Sequence, residues 1–240
     1  MNIVHGDAFE QLADLPDDHA HAAVVDYPWE FEIQTGEGKS EIRNREGRGL
    51  KSGCREPDHD NRMFDMATDE RFPELLAELA RVLVDGAWLI CMADDRFQGV
   101  VRDAMKDSDD WVFRRNWAWT PENMGMGCYG RVNHYPMPVA TLGETDRYVQ
   151  DRGTLFCVPN GRDVDYPTGK PADLYRRVLA PPVIEDGERL LEPFCGSAPG
   201  AAVAAERNLD YWGCDVDVDA LERARTHQQQ DRLPNYAEGD

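Results

Sequence analysis

Three apolar runs in this chain stop abruptly at a carboxylate or a glycine turn. Ala22-Ala23-Val24-Val25 ends on Asp26, the run from Arg189 to Phe194 meets Cys195-Gly196, and Tyr211-Trp212-Gly213-Cys214 ends on Asp215. Runs so short and so apolar read as buried strands. Stretches with helical spacing separate them: Ala8 to Leu15, Phe72 to Leu83, Arg96 to Met105, Ala172 to Leu179, Ala201 to Arg207 and a last helix from Asp219. The second of these is predicted to end near Asp85-Gly86. Further strands are expected at Ile3-Val4, Ala87 to Met92, Trp111 to Trp119 and Met137 to Leu142. Strands alternating with helices dictate an α/β fold on a largely parallel, doubly wound sheet. Such sheets bind ligands at the carboxyl ends of their strands, where all three runs stop. The 240 residues are read as a single domain, 1–240.

Two stretches depart from the pattern. Residues 30–62 are rich in Gly, Glu and Arg without usable periodicity, and residues 143–169 are polar and irregular. A loop of the first length inside a compact domain is either functional or disordered.

Two of the strand ends carry chemistry. Leu191-Glu192-Pro193-Phe194-Cys195-Gly196-Ser197-Ala198-Pro199-Gly200 is a strand, a tight glycine turn and a helix, and Asp215 closes the next strand about twenty residues on. The glycine admits a ligand to the backbone, and the distal carboxylate accepts from ribose hydroxyls. This pattern indicates a nucleoside-containing cofactor, or a turn that is purely structural. Val24-Val25-Asp26-Tyr27-Pro28-Trp29 sets a carboxylate, a free backbone carbonyl and an aromatic ring at a strand end. These suit an amino group on a flat heterocycle, which donates to the acceptors while the ring stacks on the base. Alone, the same residues also read as a proline turn with a packing Trp.

Taken in order, these motifs resemble a known family. Asp-Tyr-Pro-Trp at 26–29 resembles the Asp-Pro-Pro-Tyr/Trp motif of S-adenosylmethionine-dependent amino-methyltransferases, and Glu-Pro-Phe-Cys-Gly-Ser at 192–197 resembles their Asp-Pro-Phe-x-Gly-Ser cofactor motif. Tyr166-Pro167-Thr168-Gly169-Lys170-Pro171 resembles their His-Pro-Thr-x-Lys-Pro, His5-Gly6-Asp7-Ala8 their opening Gly-Asp, and Glu78 to Gly86 their helix-to-strand step. The catalytic motif precedes the cofactor motif, as in the permuted (beta) class of DNA methyltransferases. The resemblance spans the chain outside 30–62 and 143–165 and implies a Rossmann-like methyltransferase fold with S-adenosylmethionine as cofactor. It implies that Asp7 bonds the adenine amine of the cofactor and Asp215 its ribose. Glu192, Phe194, Gly196 and Ser197 would line the cofactor, and Lys170 and Pro171 would cover it. Asp26 and the Tyr27 carbonyl would hold the target amine, Pro28 would stiffen the motif, and Trp29 would stack on the flipped base.

Asp rather than Ser at position 26 favours the adenine N-6 amine over the cytosine N-4 amine, and the lack of a Pro-Cys pair argues against the cytosine ring carbon. Tyr27, Ala198-Pro199 and Tyr166 depart from the family pattern. Tyr27 is expected to leave the backbone less constrained, and Ala198 to add a Cβ close to the cofactor. RNA or protein-glutamine methylation, and a cofactor-binding subunit without activity, are the competing functions. A nicotinamide oxidoreductase would explain Asp215 but not Asp-Tyr-Pro-Trp.

Charge first weighs against a nucleic-acid partner. The chain has 46 acidic and 26 basic residues, a formal net charge of −20, with four lysines to 22 arginines. An Asp-rich, Lys-poor surface suits concentrated salt, where at about 1 M the Debye length is only ~3 Å. That is the solvent of a halophilic archaeon or its virus; an ordinary acidic protein is the other reading. Yet Lys39, Arg43, Arg45, Arg48, Lys51 and Arg55 face only Glu41 and Glu46, a local net of +4 directly after the catalytic motif. This segment is read as a double-stranded DNA contact rather than a merely solvated loop. The short 143–169 stretch then implies a short recognition sequence, read by a monomer or a homodimer, with any endonuclease partner unknown.

The first residues lack a basic and an apolar signal region, and no apolar run reaches the ~18 residues of a membrane span. A cytoplasmic protein with no membrane partner is expected. Cys54 and His59 have no second ligand pair beside them, so no metal site is expected.

Overall fold

The computed structural model describes residues 1–28, 69–93, 97–123, 131–160 and 169–231. Eight strands and six α-helices alternate through them: β1 (Asn2–His5), α1 (Ala8–Ala13), β2 (Ala20–Asp26), α2 (Phe72–Val82), β3 (Leu83–Met92), α3 (Gln98–Asp107), β4 (Trp111–Thr120), β5 (Tyr135–Leu142), β6 (Leu155–Cys157), α4 (Ala172–Val178), β7 (Arg189–Pro193), α5 (Pro199–Arg207), β8 (Asp210–Asp215) and α6 (Val218–Asp231). They form one sheet in the order β1-β8-β7-β2-β3-β5-β4-β6. Every neighbouring pair is parallel except the two that β5 makes, with β3 and β4, so β5 alone runs against the rest.

Side-chain alternation divides the core into two layers. Val24, Ile90, Leu190 and Tyr211 face Leu174, Val178, Val203 and Leu221, which belong to α4, α5 and α6. Val25, Leu89, Leu191 and Trp212 face Leu12, Leu75, Leu79, Val101 and Met105 of α1, α2 and α3. Both faces of the sheet are therefore covered, which is why its strands read as continuous apolar runs. Among the described residues, no helix is long and apolar enough to cross a membrane.

The chain turns in opposite directions from two adjacent strands. From β7 it passes through α5 to β8 on one side, and from β2 through α2 to β3 on the other. A crevice opens at such a switch point beyond the carboxyl ends of the strands. Here those ends are Asp26 and the turn after Pro193.

Two stretches differ from the sequence reading. Helix α2 ends at Val82 because Leu83 is already extended and pairs with Ala20; the register shifts between Ala20 and Ala22, and Gly86 adopts φ +76. The apolar periodicity continues across this junction and conceals it. The irregular stretch 143–169 contains β6, which pairs with β4; Phe156 within it and Val158 just after it are buried. Arg152 adds to this anchoring by donating to the carbonyls of Ala180 (2.8 Å) and Pro181 (2.6 Å). The basic segment 39–55, Trp29 and residues 166–168 lie outside the described residues.

Arg81 ties α2 to the open end of α1. It donates to the carbonyls of Leu15 (2.7 Å) and Leu12 (2.9 Å) while pairing with Asp17 and Glu78. The Leu12 carbonyl also accepts from the Leu15 amide (3.0 Å), and Leu15 lies just past the helix, so Arg81 adds a charged donor at the end where intrahelical partners run out. Arg81→Ala should lower unfolding stability by about 1–2 kcal/mol with an unchanged denaturant slope, read from urea midpoints.

Candidate functional site

The site is built where β7, β2, β8 and β1 end. The turn after β7 folds across the end of β8: the amides of Phe194 (3.0 Å) and Cys195 (2.8 Å) both donate to the Cys214 carbonyl, and the Gly196 amide donates to Asp215 Oδ2 (2.7 Å). Phe194 at φ 75, Gly196 at φ 52 and Ala198 at φ 55 are all left-handed. Only glycine adopts that conformation without cost; an L-residue there costs of order 1 kcal/mol. Ala198 recovers about 0.8 kcal/mol by burying its methyl in the core beside α4 and α5. Its Cβ is therefore largely accounted for by packing within the protein. Pro199 then starts α5, a position that needs no amide.

Beneath the turn lies Glu192, 1% exposed. Its Oε2 accepts from the Tyr211 hydroxyl (2.6 Å) and the Gly200 amide (3.2 Å), and the carboxyl also hydrogen-bonds Tyr175. Two glycines make room for it. A Cβ on Gly200 would lie 2.5 Å from Glu192 Oε2, and one on Gly213 would lie 2.5 Å from the Tyr211 hydroxyl. Burial pushes the Glu192 carboxyl up to about 8, although its three hydrogen bonds pull the other way. Burial likewise keeps both tyrosines protonated and able to donate. Glu192 thus fastens α4, α5 and β8 to the turn.

Two acidic residues flank the turn at adjoining strand ends, since His5 pairs with Asp215 in register. Asp7 caps α1, its Oδ1 accepting from the amides of Phe9 (3.0 Å) and Glu10 (3.2 Å). Asp215 accepts from Gly196 and, through Oδ1, from the Asp217 amide (2.9 Å). Burial raises its pKa while these amides lower it. The thiols of Cys195 and Cys214 are also pushed up by burial, which makes them poor nucleophiles.

The catalytic-motif residues meet this turn directly. Tyr27, 1% exposed, stands edge-on between Phe72 (centroids 5.3 Å apart) and Phe194 (5.4 Å). Phe194 also meets Phe9 edge-on at 6.4 Å, and the Arg71 guanidinium lies 3.7 Å over the Phe9 ring. A proline at this position would restrain the backbone through its φ; Tyr27 instead anchors the strand end through its buried ring. Pro28 is half-buried beside it, as is Ser197 on the turn. Asp26, 30% exposed, pairs through Oδ2 with the Lys170 ammonium, 16% exposed. Pro171 is buried and caps α4. Asp7, Asp26, Lys170, Gly196 and Asp215 therefore lie at the adjoining carboxyl ends of β1, β8, β7 and β2, with Tyr27 and Phe194 packed against each other and Glu192 buried beneath the turn. The roles of Tyr175, Tyr211, Gly200 and Phe9 escaped the sequence reading. The nearest signal was Gly213, opposite Glu192 in register and two residues from Tyr211.

No protein-family model matches the chain, and no curated protein matches it. Solved structures do. M1.HpyAVI in complex with SAM is 15% identical over 95% of this chain and 98% of its own, with a TM-score of 0.67. TTHA0409 from Thermus thermophilus, complexed with S-adenosyl-L-methionine, is 14% identical over 98% and 95%, with a TM-score of 0.68. The cytosine-N4-specific PvuII DNA methyltransferase is 11% identical over 98% and 87%, also at 0.68.

The Glu192 carboxyl also gives stability a pH dependence. An unfolded carboxyl titrates near 4.5, so from about 4.5 to about 8 the folded chain keeps a proton that the unfolded chain has lost. The contribution of this group to stability should fall as pH rises through that window and level off above it. Glu192→Gln, which mimics the neutral acid, should flatten this contribution in urea midpoints taken at pH 5, 6.5 and 8 in matched salt. Parallel curves for the two proteins would contradict the assignment. At these identities the likeness is one of fold, and the chain shares with these structures a mixed α/β architecture built on one large, mostly parallel sheet.

Proposed function

We propose that this chain is an S-adenosylmethionine-dependent DNA methyltransferase that modifies the exocyclic amine of adenine flipped out of double-stranded DNA. One observation carries the reading: the Tyr27–Phe194 contact, which joins the end of the amine-holding motif to the glycine turn across most of the sequence. Two of the similar structures hold S-adenosylmethionine, and a third is a DNA methyltransferase.

The residues present suit that cofactor. Its ribose hydroxyls and adenine amine are donors, and Asp215 and Asp7 supply acceptors at adjoining strand ends. The left-handed Gly196 lets a ligand approach the backbone, and Phe194 offers an apolar wall. Ser197 and Pro171 complete the cofactor side, while Glu192 acts from below by holding the turn. When bound, the cofactor supplies an electrophilic methyl group on a sulfonium.

The chain's own task is to ready the amine. An exocyclic amine is a poor nucleophile because its lone pair is delocalised into the ring. Asp26 and the Tyr27 carbonyl accept its two hydrogens, which favours a tetrahedral nitrogen with its lone pair aimed across the crevice. Trp29 stacks on the base. Positioning and fixed electrostatics supply the gain, and no covalent enzyme intermediate is required.

Asp at position 26 supports adenine; the likeness to a cytosine-N4 enzyme favours the cytosine amine as the second reading. The segment bearing Lys39, Arg43, Arg45, Arg48, Lys51 and Arg55 contacts the DNA backbone, within a single domain spanning 1–240 and adapted to high salt. At such salt, long-range attraction to phosphate is weak, so the −20 charge does little harm.

Asp26→Ala should abolish labelled-methyl transfer to DNA while S-adenosylhomocysteine binding, read by calorimetry in molar salt, stays within about threefold of wild type. Undiminished transfer by this variant would refute the assignment.

A further inference from the structure

Lys170 and Asp26 are 144 residues apart, yet their side chains form an ion pair inside the crevice. The two ends of the pair differ in rigidity. Asp26 is the last residue of β2, and a carboxylate at a strand end keeps its side-chain torsions unless something restrains them. The Lys170 backbone is restrained. Buried Pro171 follows it and caps α4, whose Leu174, Tyr175 and Val178 are all buried. Tyr175 in turn hydrogen-bonds the Glu192 carboxyl under the glycine turn. The backbone that carries the ammonium is thereby fastened to the network that shapes the cofactor side.

We propose that Lys170 is a positioning residue for the amine site: it takes Asp26 Oδ2 and so aims Oδ1 at the target amine. This rests on the amine-methylation reading above. An ammonium is a compact point charge, so it can hold one carboxylate oxygen without straddling both, as the arginine fork would. A second argument is electrostatic. A lysine laid directly over a sulfonium would set two positive charges together, whereas pairing with Asp26 neutralises the ammonium before the cofactor arrives.

The test compares wild type, Lys170→Met, Asp26→Asn and the double variant, with Lys170→Gln as a second neutral replacement should Lys170→Met fold poorly. Lys170→Met should lower kcat on DNA on the order of 100-fold at saturating S-adenosylmethionine, the scale of a misaligned reacting group. It should leave the Kd for S-adenosylhomocysteine within about twofold. In urea unfolding without ligands, the four proteins should show non-additive midpoints, because removing either partner removes the same pair. A Kd raised tenfold or more with kcat intact would make Lys170 a cofactor contact and overturn the proposal. Additive midpoints would overturn it independently of any activity. A wild-type protein that transfers no methyl group to DNA would instead overturn the amine-methylation reading, and this role with it.

Discussion

The Glu192 carboxyl sits 2.6 Å from the Tyr211 hydroxyl and 3.2 Å from the Gly200 amide, in the floor of the crevice. A buried carboxyl is tolerated only when its polar atoms find partners, and these partners come from β8, α5 and α4. The turn above it holds three left-handed residues within five positions, two of which are not glycine. Such strain persists only where the surroundings over-determine it. Hydrogen bonds donated by the turn's amides to Cys214 and Asp215 hold it from one side, and Glu192 holds it from below. Gly200 and Gly213 serve the same end, since a methyl on either would occupy the space of the Glu192–Tyr211 pair.

Charge is arranged around this floor by strand order. Asp7 and Asp215 stand at the ends of β1 and β8, and Asp26 at the end of β2 across the switch point. An acidic rim suits hydrogen-bond donors and a cationic sulfonium, and it repels phosphate. On the proposed function, DNA is therefore gripped by close contacts and stacking rather than by a long-range field, in keeping with a chain at −20. Lys170 places a positive charge at the centre of the acidic rim, where it neutralises Asp26.

Much of the sheet was legible because burial on both faces writes continuous apolar runs into the sequence. Val24 and Val25 point into opposite layers, and both had to be apolar. What escaped has physical reasons. Strand β6 is three residues long, and only Phe156 of Leu155-Phe156-Cys157 is buried. Nothing local distinguishes β5, the one reversed strand, from its neighbours, because direction is a property of connections. The end of α2 was concealed by apolar residues that serve a helix up to Val82 and a strand from Leu83. At the site, the motif positions could be read, but their partners could not. Tyr27 looked like a lost proline until its ring was found between Phe72 and Phe194. Glu192 looked like a wall of the cofactor site and is a buried anchor. The Lys170–Asp26 pair spans 144 residues, which no spacing rule reaches.

On the proposed function, the site at the ends of β2 and β7 directs methylation of the amine of a base in DNA. Incubating unmodified duplex DNA with the protein and methyl-deuterated S-adenosylmethionine in molar salt, then digesting to nucleosides for mass spectrometry, tests it most directly. The expected product is deuterated N6-methyladenine. Label confined to the ring carbon of cytosine, or DNA that stays unlabelled while the protein binds the cofactor, would contradict the claim.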